Sequence, residues 1–262
     1  LQLADFVMGD SIGQKVAQMD APDEVGNGDG SFSSAVRTMF NALAPSYDSF
    51  NHYSSLGLDY GWRRAAVRSL KLTKSDLVLD VATGTGDLAF ATARMARGTV
   101  GCDFAVEMIR RARAKICSGD DTWFHVACAE CLPYRDERFQ GVASAFAMRN
   151  VKPILEDVLA EAFRVLEPGG SVAILEFSRP RMVPIRWGHS VYTRLLMPRV
   201  GRFVTGTVEP FDYLYRSIQE WYSPEEFAEI LRTVGFADVR YRMMSFGTVA
   251  LHNGTKPTAC RS

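Results

Sequence analysis

The residues best suited to chemistry lie in one octet, Asp80-Val81-Ala82-Thr83-Gly84-Thr85-Gly86-Asp87. An apolar lead-in followed by Gly-x-Gly is the pattern of a strand-to-helix turn in an α/β sheet, where glycine lets the backbone approach a ligand closely. Such a turn suits any nucleotide-like cofactor, and two features narrow the choice. Asp87 falls in the opening turn of the next helix, where a pyrophosphate would use the positive helix end, and a carboxylate there repels phosphate. The third glycine of G-x-G-x-x-G is also absent, because Leu88-Ala89 follow.

A cofactor without phosphate but with positive charge fits Asp80 and Asp87 better. S-adenosylmethionine, carrying a sulfonium and an ammonium, has that character. Asp103, about 20 residues on, ends the next strand where a carboxylate accepts from ribose hydroxyls; capping the helix from Ala105 is the other role open to it. Ala127-Cys128-Ala129-Glu130-Cys131-Leu132-Pro133 follows the third strand, placing side chains beside the adenine, with a plain loop as the alternative. The cofactor-binding candidates are Asp80, Thr83, Gly84, Thr85, Gly86, Asp103, Phe104, Met108, Cys128, Ala129, Glu130 and Ala145. Phe146-Ala-Met-Arg149-Asn150 follows the fourth strand at the sheet centre, where the transferred group would sit. There Arg149 and Asn150 are polar groups in an apolar mouth. They could orient a hydroxyl and stabilise a phenolate, with simple helix capping by Asn150 the plainer reading. His52 and Asp59 form a candidate base pair on an N-terminal lid, or a hydrogen bond holding that lid; Tyr47 lines the pocket or packs in the core.

The elements that must position these groups are legible from Leu77 onward. Leu77–Ala82, Thr99–Cys102, Trp123–Ala127, Gly141–Phe146 and Ser171–Phe177 read as strands, the first and last nearly continuous hydrophobics, as buried parallel strands are. Ile154, Leu155, Val158, Leu159, Ala162, Phe163, Val165 and Leu166 recur at helical spacing before Pro168-Gly169-Gly170. Ser223-Pro224-Glu225-Glu226 starts a later helix that Gly235 ends. Val239–Met244 and Thr248–His252 then read as a terminal hairpin. The alternation predicts an α/β, doubly wound, Rossmann-like fold, mainly parallel, with a C-terminal antiparallel hairpin.

The 262 residues, 47% hydrophobic, suffice for one catalytic domain with a lid. The expected organisation is an acidic N-terminal tail over 1–33, a methyltransferase-type domain over 34–257 and a short tail over 258–262. Within the domain, 34–70 form a helical lid and 179–222 a basic, aromatic lid insertion. Zero formal net charge gives no overall field to recruit nucleic acid. Five scattered cysteines suit a reducing compartment, and Cys128-x-x-Cys131 lacks a second pair at zinc-ribbon spacing, so no metal is expected. No apolar run is long enough to span a bilayer. Arg179, Arg181, Arg186, Arg194, Arg199 and Arg202, interleaved with Trp187, Tyr192 and Phe203, could instead lie on an anionic membrane or cover the active site. The expected location is cytoplasmic, at the inner face of a membrane; a homodimer is left open.

With these residues in place, the chain resembles the ubiquinone/menaquinone biosynthesis C-methyltransferases, the UbiE family, from about Ser33 to Pro257. Tyr47-Asp48-Ser-Phe50-Asn51 through Ser55-Leu-Gly57 to Trp62 looks like one family signature. Arg164-Val-Leu-Glu-Pro-Gly-Gly-Ser-Val-Ala-Ile-Leu-Glu176-Phe-Ser178 looks like the other. The resemblance implies transfer of a methyl group from S-adenosylmethionine to a ring carbon of a demethylated isoprenoid quinol. It also implies that Thr85, Asp103, Cys128 and Ala129 contact the cofactor. The chain departs from the family at Cys128 (usually Asn or Asp), Ala145 (Ser), Ala147 (Gly) and Arg216 (Glu). Those changes motivate two alternatives: a methyltransferase for another aromatic or phenolic compound, and a non-catalytic scaffold in a quinone-synthesis complex.

Overall fold

The computed structural model describes residues 30–180 and 209–258. Three helices come first, α1 (Gly30–Leu43), α2 (Tyr47–Ser54) and α3 (Leu58–Ser69). The alternating part runs β1 (Leu77–Val81), α4 (Asp87–Ala93), β2 (Gly98–Asp103), α5 (Val106–Ala114), β3 (Thr122–Val126), β4 (Phe139–Ala145), α6 (Leu155–Val165) and β5 (Leu166–Phe177). It closes with α7 (Glu209–Glu220), α8 (Pro224–Val234), β6 (Ala237–Met244) and β7 (Val249–Thr255).

These strands form one seven-stranded sheet in the order β3-β2-β1-β4-β5-β7-β6. The first five are mutually parallel and the β7–β6 hairpin is antiparallel. Strand order reverses between β1 and β4, the crevice where open α/β sheets bind ligands.

Alternation along β1 wraps helices on both faces. Leu77, Leu79 and Val81 pack with Leu155, Val158, Leu159 and Ala162 of α6 and Phe227 and Leu231 of α8. Val78 turns the other way, onto Trp62, Ala66, Val67 and Leu70 of α3 and its end and Leu88 of α4. Full burial of one such aliphatic side chain contributes about 1.5–3 kcal/mol. The α8 boundaries follow from its ends. Ser223 and Glu226 make a reciprocal capping box, and Gly235, at φ +118°, supplies the left-handed stop.

Two expectations shift. Helix α1 already begins at Gly30, inside the segment read as tail. Strand β5 starts at Leu166 and carries Pro168-Gly169-Gly170 within it, the register against β4 slipping between Phe139 and Gly141. The tripeptide is therefore a bulge, not the gap between helix and strand. Residues 1–29 of the tail and 181–208 of the basic segment, with the arginines from Arg181 to Arg202, lie outside the described residues, as do 259–262.

Candidate functional site

Strand β1 ends where Ala82 (φ +53°), Gly84 (+56°) and Gly86 (+87°) enter left-handed backbone. Glycine does so freely, whereas at Ala82 the conformation is strained. At Gly86 space also demands glycine, because a Cβ would stand 2.7 Å from Cζ of Phe124.

The turn is held by acids at the ends of two neighbouring strands. Thr83 donates through its amide to the Cys102 carbonyl (2.9 Å) and through Oγ1 to Asp80 Oδ2 (2.6 Å). Asp103 accepts from the amide of Gly84 through Oδ2 and from that of Ala105 through Oδ1, both 2.9 Å. It therefore splints the glycine turn to the start of α5, and each oxygen keeps a lone pair for a ligand. Among the described residues, Asp80 Oδ1 is buried with no hydrogen-bond partner. Loss of solvent pushes Asp80 up to about 7 against the pull of the Thr83 hydroxyl, and Asp103 up to about 6 against its amide donors. An orphaned acceptor on one of two desolvated acids is what a cationic ligand relieves. The residues present fit a phosphate-free, positively charged cofactor.

Part of the charge reasoning from sequence is corrected. Asp87 is engaged by Lys115 (3.0 Å) and lies 3.7 Å from Arg63, so its repulsion of phosphate is partly cancelled. Asp80 and Asp103 then carry the preference for a phosphate-free cofactor.

The N-terminal helices close over this turn. Thr85 donates its hydroxyl to Asp48 of α2, and Lys115 pairs with the same carboxylate at 2.5 Å. Thr85 thus commits its side chain to the lid, leaving its backbone to face a ligand. Phe40, Ala44 and Tyr47 pack on Phe104, Ala105 and Met108. Met108 is fully buried there, a packing residue and not an open contact. Tyr47 stands beside Gly84, where a Cβ would come within 3.7 Å of its ring. Burial raises its phenol, while the Asn51 side chain, Arg149 and Arg63 act to lower it. It therefore borders the cofactor turn on its α2 side. The loop after β3 leaves Cys128 and Ala129 half-buried and Glu130 exposed; burial, with Glu130 nearby, pushes the Cys128 thiol up to about 11. The loop is clamped by Arg164, which donates to the carbonyls of Leu132 and Tyr134, and by Glu161, which accepts from the Leu132 amide at 2.7 Å.

At the end of β4, half-buried Ala145 precedes Phe146, whose φ of +60° is strained for an aromatic residue. Phe146 packs on Phe177 (4.6 Å between ring centroids) and Trp62 (5.9 Å). Arg149 is buried beside them. Its Nη1 donates to the Phe146 carbonyl and to Glu176 Oε1 (2.8 Å), its amide donates to Glu176 Oε2 (3.2 Å), and its guanidinium lies 5.1 Å from the Phe177 centroid. Its Nε is buried and has no partner among the described residues. Asn150 Oδ1 accepts from the Tyr213 hydroxyl at 3.3 Å, a tie to α7 in place of a helix cap.

His52 and Asp59 are not a base pair in this geometry. Their closest approach is 3.7 Å, beyond hydrogen-bond length, and His52 is half-exposed against Tyr60. Asp59 is committed to Arg63 at 2.5 Å and to Ser55 at 2.8 Å, which pins the start of α3.

Sequence reasoning assigned no role to Glu176, Lys115, Asp48, Arg63 or the Arg164–Glu161 clamp. Only Glu176 carried a local signal. It is the lone acid in the otherwise apolar run Val172-Ala-Ile-Leu-Glu-Phe177, and a buried charge needs a partner.

Comparison with known proteins matches this architecture. Residues 29–256 match the model of the ubiE/COQ5 methyltransferase family. The demethylmenaquinone methyltransferase of Roseiflexus castenholzii is 38% identical over 223 residues, covering 84% of this chain and 93% of that protein. The ubiquinone/menaquinone biosynthesis C-methyltransferase UbiE of Geobacter sulfurreducens is 37% identical, covering 84% and 88%. Among solved structures, a SAM-dependent methyltransferase of Thermotoga maritima aligns with TM-score 0.59 at 18% identity, over 83% of this chain and 99% of that one. The cyclase SpnF aligns with TM-score 0.61 at 17% identity, over 86% and 96%. A fold shared with a cyclase leaves the chemistry to the sequence match and the site. By the family model and by its relatives alike, the chain belongs to the ubiE/COQ5 methyltransferase family.

Proposed function

We propose that this enzyme methylates a ring carbon of a demethylated isoprenoid quinol, demethylmenaquinol to menaquinol or the benzoquinol equivalent, with S-adenosylmethionine as donor. One observation carries the reading beyond family membership. At the ends of the neighbouring strands β1 and β4 lie, among the described residues, a buried acceptor without a donor, Asp80 Oδ1, and a buried donor without an acceptor, Arg149 Nε. A cationic donor molecule suits the first and an oxyanion of an aromatic acceptor suits the second.

When bound, the cofactor supplies an electrophilic methyl carbon on its sulfonium. Asp80 would hold its cationic end and Asp103 would accept from its ribose hydroxyls, with the tight turn around Gly84 and Gly86 admitting it closely. Phe146, Phe177 and Trp62 exclude water and stack a flat ring. Arg149 stays protonated and donates from Nε to the ring oxygen, stabilising the phenolate and so raising the nucleophilicity of the adjacent carbon. Such a preorganised donor is typically worth roughly 10²–10³ in turnover. Burial keeps the Tyr47 phenol protonated, so it too acts as a donor toward that oxygen. Asn150, fixed by Tyr213, orients the hydroxyl whose proton leaves to water. The methyltransferase unit is taken as residues 34–257 with α1 extending it to Gly30, in keeping with the family match from residue 29. No helix among the described residues is long and apolar enough to cross a membrane. We place the enzyme on the cytoplasmic face of one, touching it peripherally to reach a lipid-borne quinol.

Transfer of labelled methyl to demethylquinol extracts tests this. Labelled quinone is expected. Label appearing only in another phenol moves the substrate, and no label in either points to the scaffold reading.

A further inference from the structure

The edge of the sheet that carries the site also carries an exposed apolar surface. Leu56 is 81% exposed, Phe246 83%, Tyr60 65%, Tyr53 61% and Leu58 51%. Leu56 stands at φ +52°, at the left-handed stop of α2 where glycine is usual, and Phe246 stands at +57° in the β6–β7 turn. Bulky side chains in that region cost backbone strain. Here the strain is borne without burial of either side chain.

Both groups lie at the functional edge. Val249, just past the turn, pairs with Phe177 at the carboxyl end of β5, so residues 245–247 sit beside that end. Trp62 Nε1 donates to Ser245 Oγ at 2.8 Å, and Ser69, at the other end of α3, meets Asn253 deeper along β7 at 2.7 Å. Helix α3 thus runs antiparallel to β5, with Leu58 and Tyr60 at the same edge as Phe246.

The charges around this surface are one-sided. Between Tyr47 and Ser69 the carboxylates are Asp48 and Asp59, both bound in ion pairs. The exposed cations Arg64 and Arg242 are set back from the apolar tip. Arg64 lies about 9 Å along α3 from Leu58, and Arg242 lies about 7 Å along β6 from Met244. Interfacial elements sink their apolar face about 5–10 Å into the headgroup and acyl boundary. That depth brings both arginines level with lipid phosphates.

We propose that Tyr53, Leu56, Leu58, Tyr60 and Phe246 seat the enzyme on an anionic bilayer, apolar tips inserted and Arg64 and Arg242 on the phosphates, so that the site mouth opens onto the lipid. The proposal rests on the reading of the substrate as a lipophilic quinol.

The test compares wild type with the double variant Leu56→Glu/Phe246→Glu and with Arg64→Glu/Arg242→Glu, using phosphatidylglycerol/phosphatidylcholine vesicles and pure phosphatidylcholine vesicles. Wild type sediments with the anionic vesicles, and each double variant loses about tenfold or more of that binding. Turnover of a demethylquinol embedded in vesicles falls in parallel. Turnover of a short-chain, water-soluble demethylquinol and thermal midpoint stay unchanged, which separates lost docking from lost folding. Wild type that ignores vesicles overturns the proposal, and so does a Leu56→Glu/Phe246→Glu variant that binds them as well as wild type. Self-association through this face in sedimentation velocity overturns it too. Failure to methylate either quinol while vesicle binding follows the variants would instead sink the substrate reading.

Discussion

The two halves of the site are built differently. At the cofactor turn, Thr83 holds Asp80 three residues away, and Gly84 meets Asp103 nineteen residues on through adjacent parallel strands. At the proposed acceptor corner, Arg149 depends on Glu176 twenty-seven residues away and Asn150 on Tyr213 sixty-three residues away. The first half comes with the β-turn-α unit itself. The second exists only once β5 lies beside β4 and α7 has closed on the corner. The turn should therefore tolerate damage at the acceptor corner, and the reverse should hold for turnover.

The largest effect tests that independence. Arg149→Ala should lower kcat roughly 10²–10³-fold while calorimetric binding of S-adenosylmethionine is unchanged; cofactor binding that falls with it would merge the two halves. Next comes Glu176→Gln, which leaves a buried guanidinium uncompensated and should cost about 3–5 kcal/mol of stability in urea unfolding. Combining it with Arg149→Met should restore most of that stability and none of the turnover. On the cofactor side, Asp103→Asn removes a charged acceptor shared by two amides and should weaken cofactor binding about 10–100-fold, with a smaller effect on kcat at saturation.

Titration gives a subtler test. Asp80 is raised to about 7 and Asp103 to about 6, so the folded state without cofactor binds protons more tightly than the unfolded chain. Their contribution to stability is therefore greatest below the unfolded value near 4 and is lost as pH climbs through about 6 to 7. A bound cation favours the ionised acids, so cofactor affinity should rise about tenfold between pH 6 and 8, and Asp80→Asn should flatten most of that rise. The smallest change is the control. Ser223→Ala at the α8 cap should cost about 1 kcal/mol in thermal denaturation, with kcat and cofactor affinity untouched.

How much was legible follows the same division. The strands, α8 with its cap and stop, the glycine turn and Asp103 were readable because periodicity and turn chemistry are local. Met108 and Thr85 do lie near the turn, yet their side chains are engaged by the segments around α1 and α2. No local pattern reports what a helix from another part of the chain will cover. Nothing local separates a His52–Asp59 base pair from the pairing found, in which Arg63, one turn along α3 from Asp59, takes the carboxylate. The charge of Asp87 was read as free for the same reason, because Lys115 reaches it only after α5 packs beside α4.

The amino-acid sequence by itself determined the cofactor turn, since backbone conformation near Gly84 and Gly86 and the acids at two strand ends are set by residues close in the chain. Tertiary structure alone decided which charges stay unpaired. Long-range packing matched Arg149 to Glu176, Thr85 to Asp48 and Asp87 to Lys115. Among the described residues it left Asp80 Oδ1 and Arg149 Nε buried without partners. Desolvation and pairing depend on every atom nearby, and those neighbours come from the whole fold.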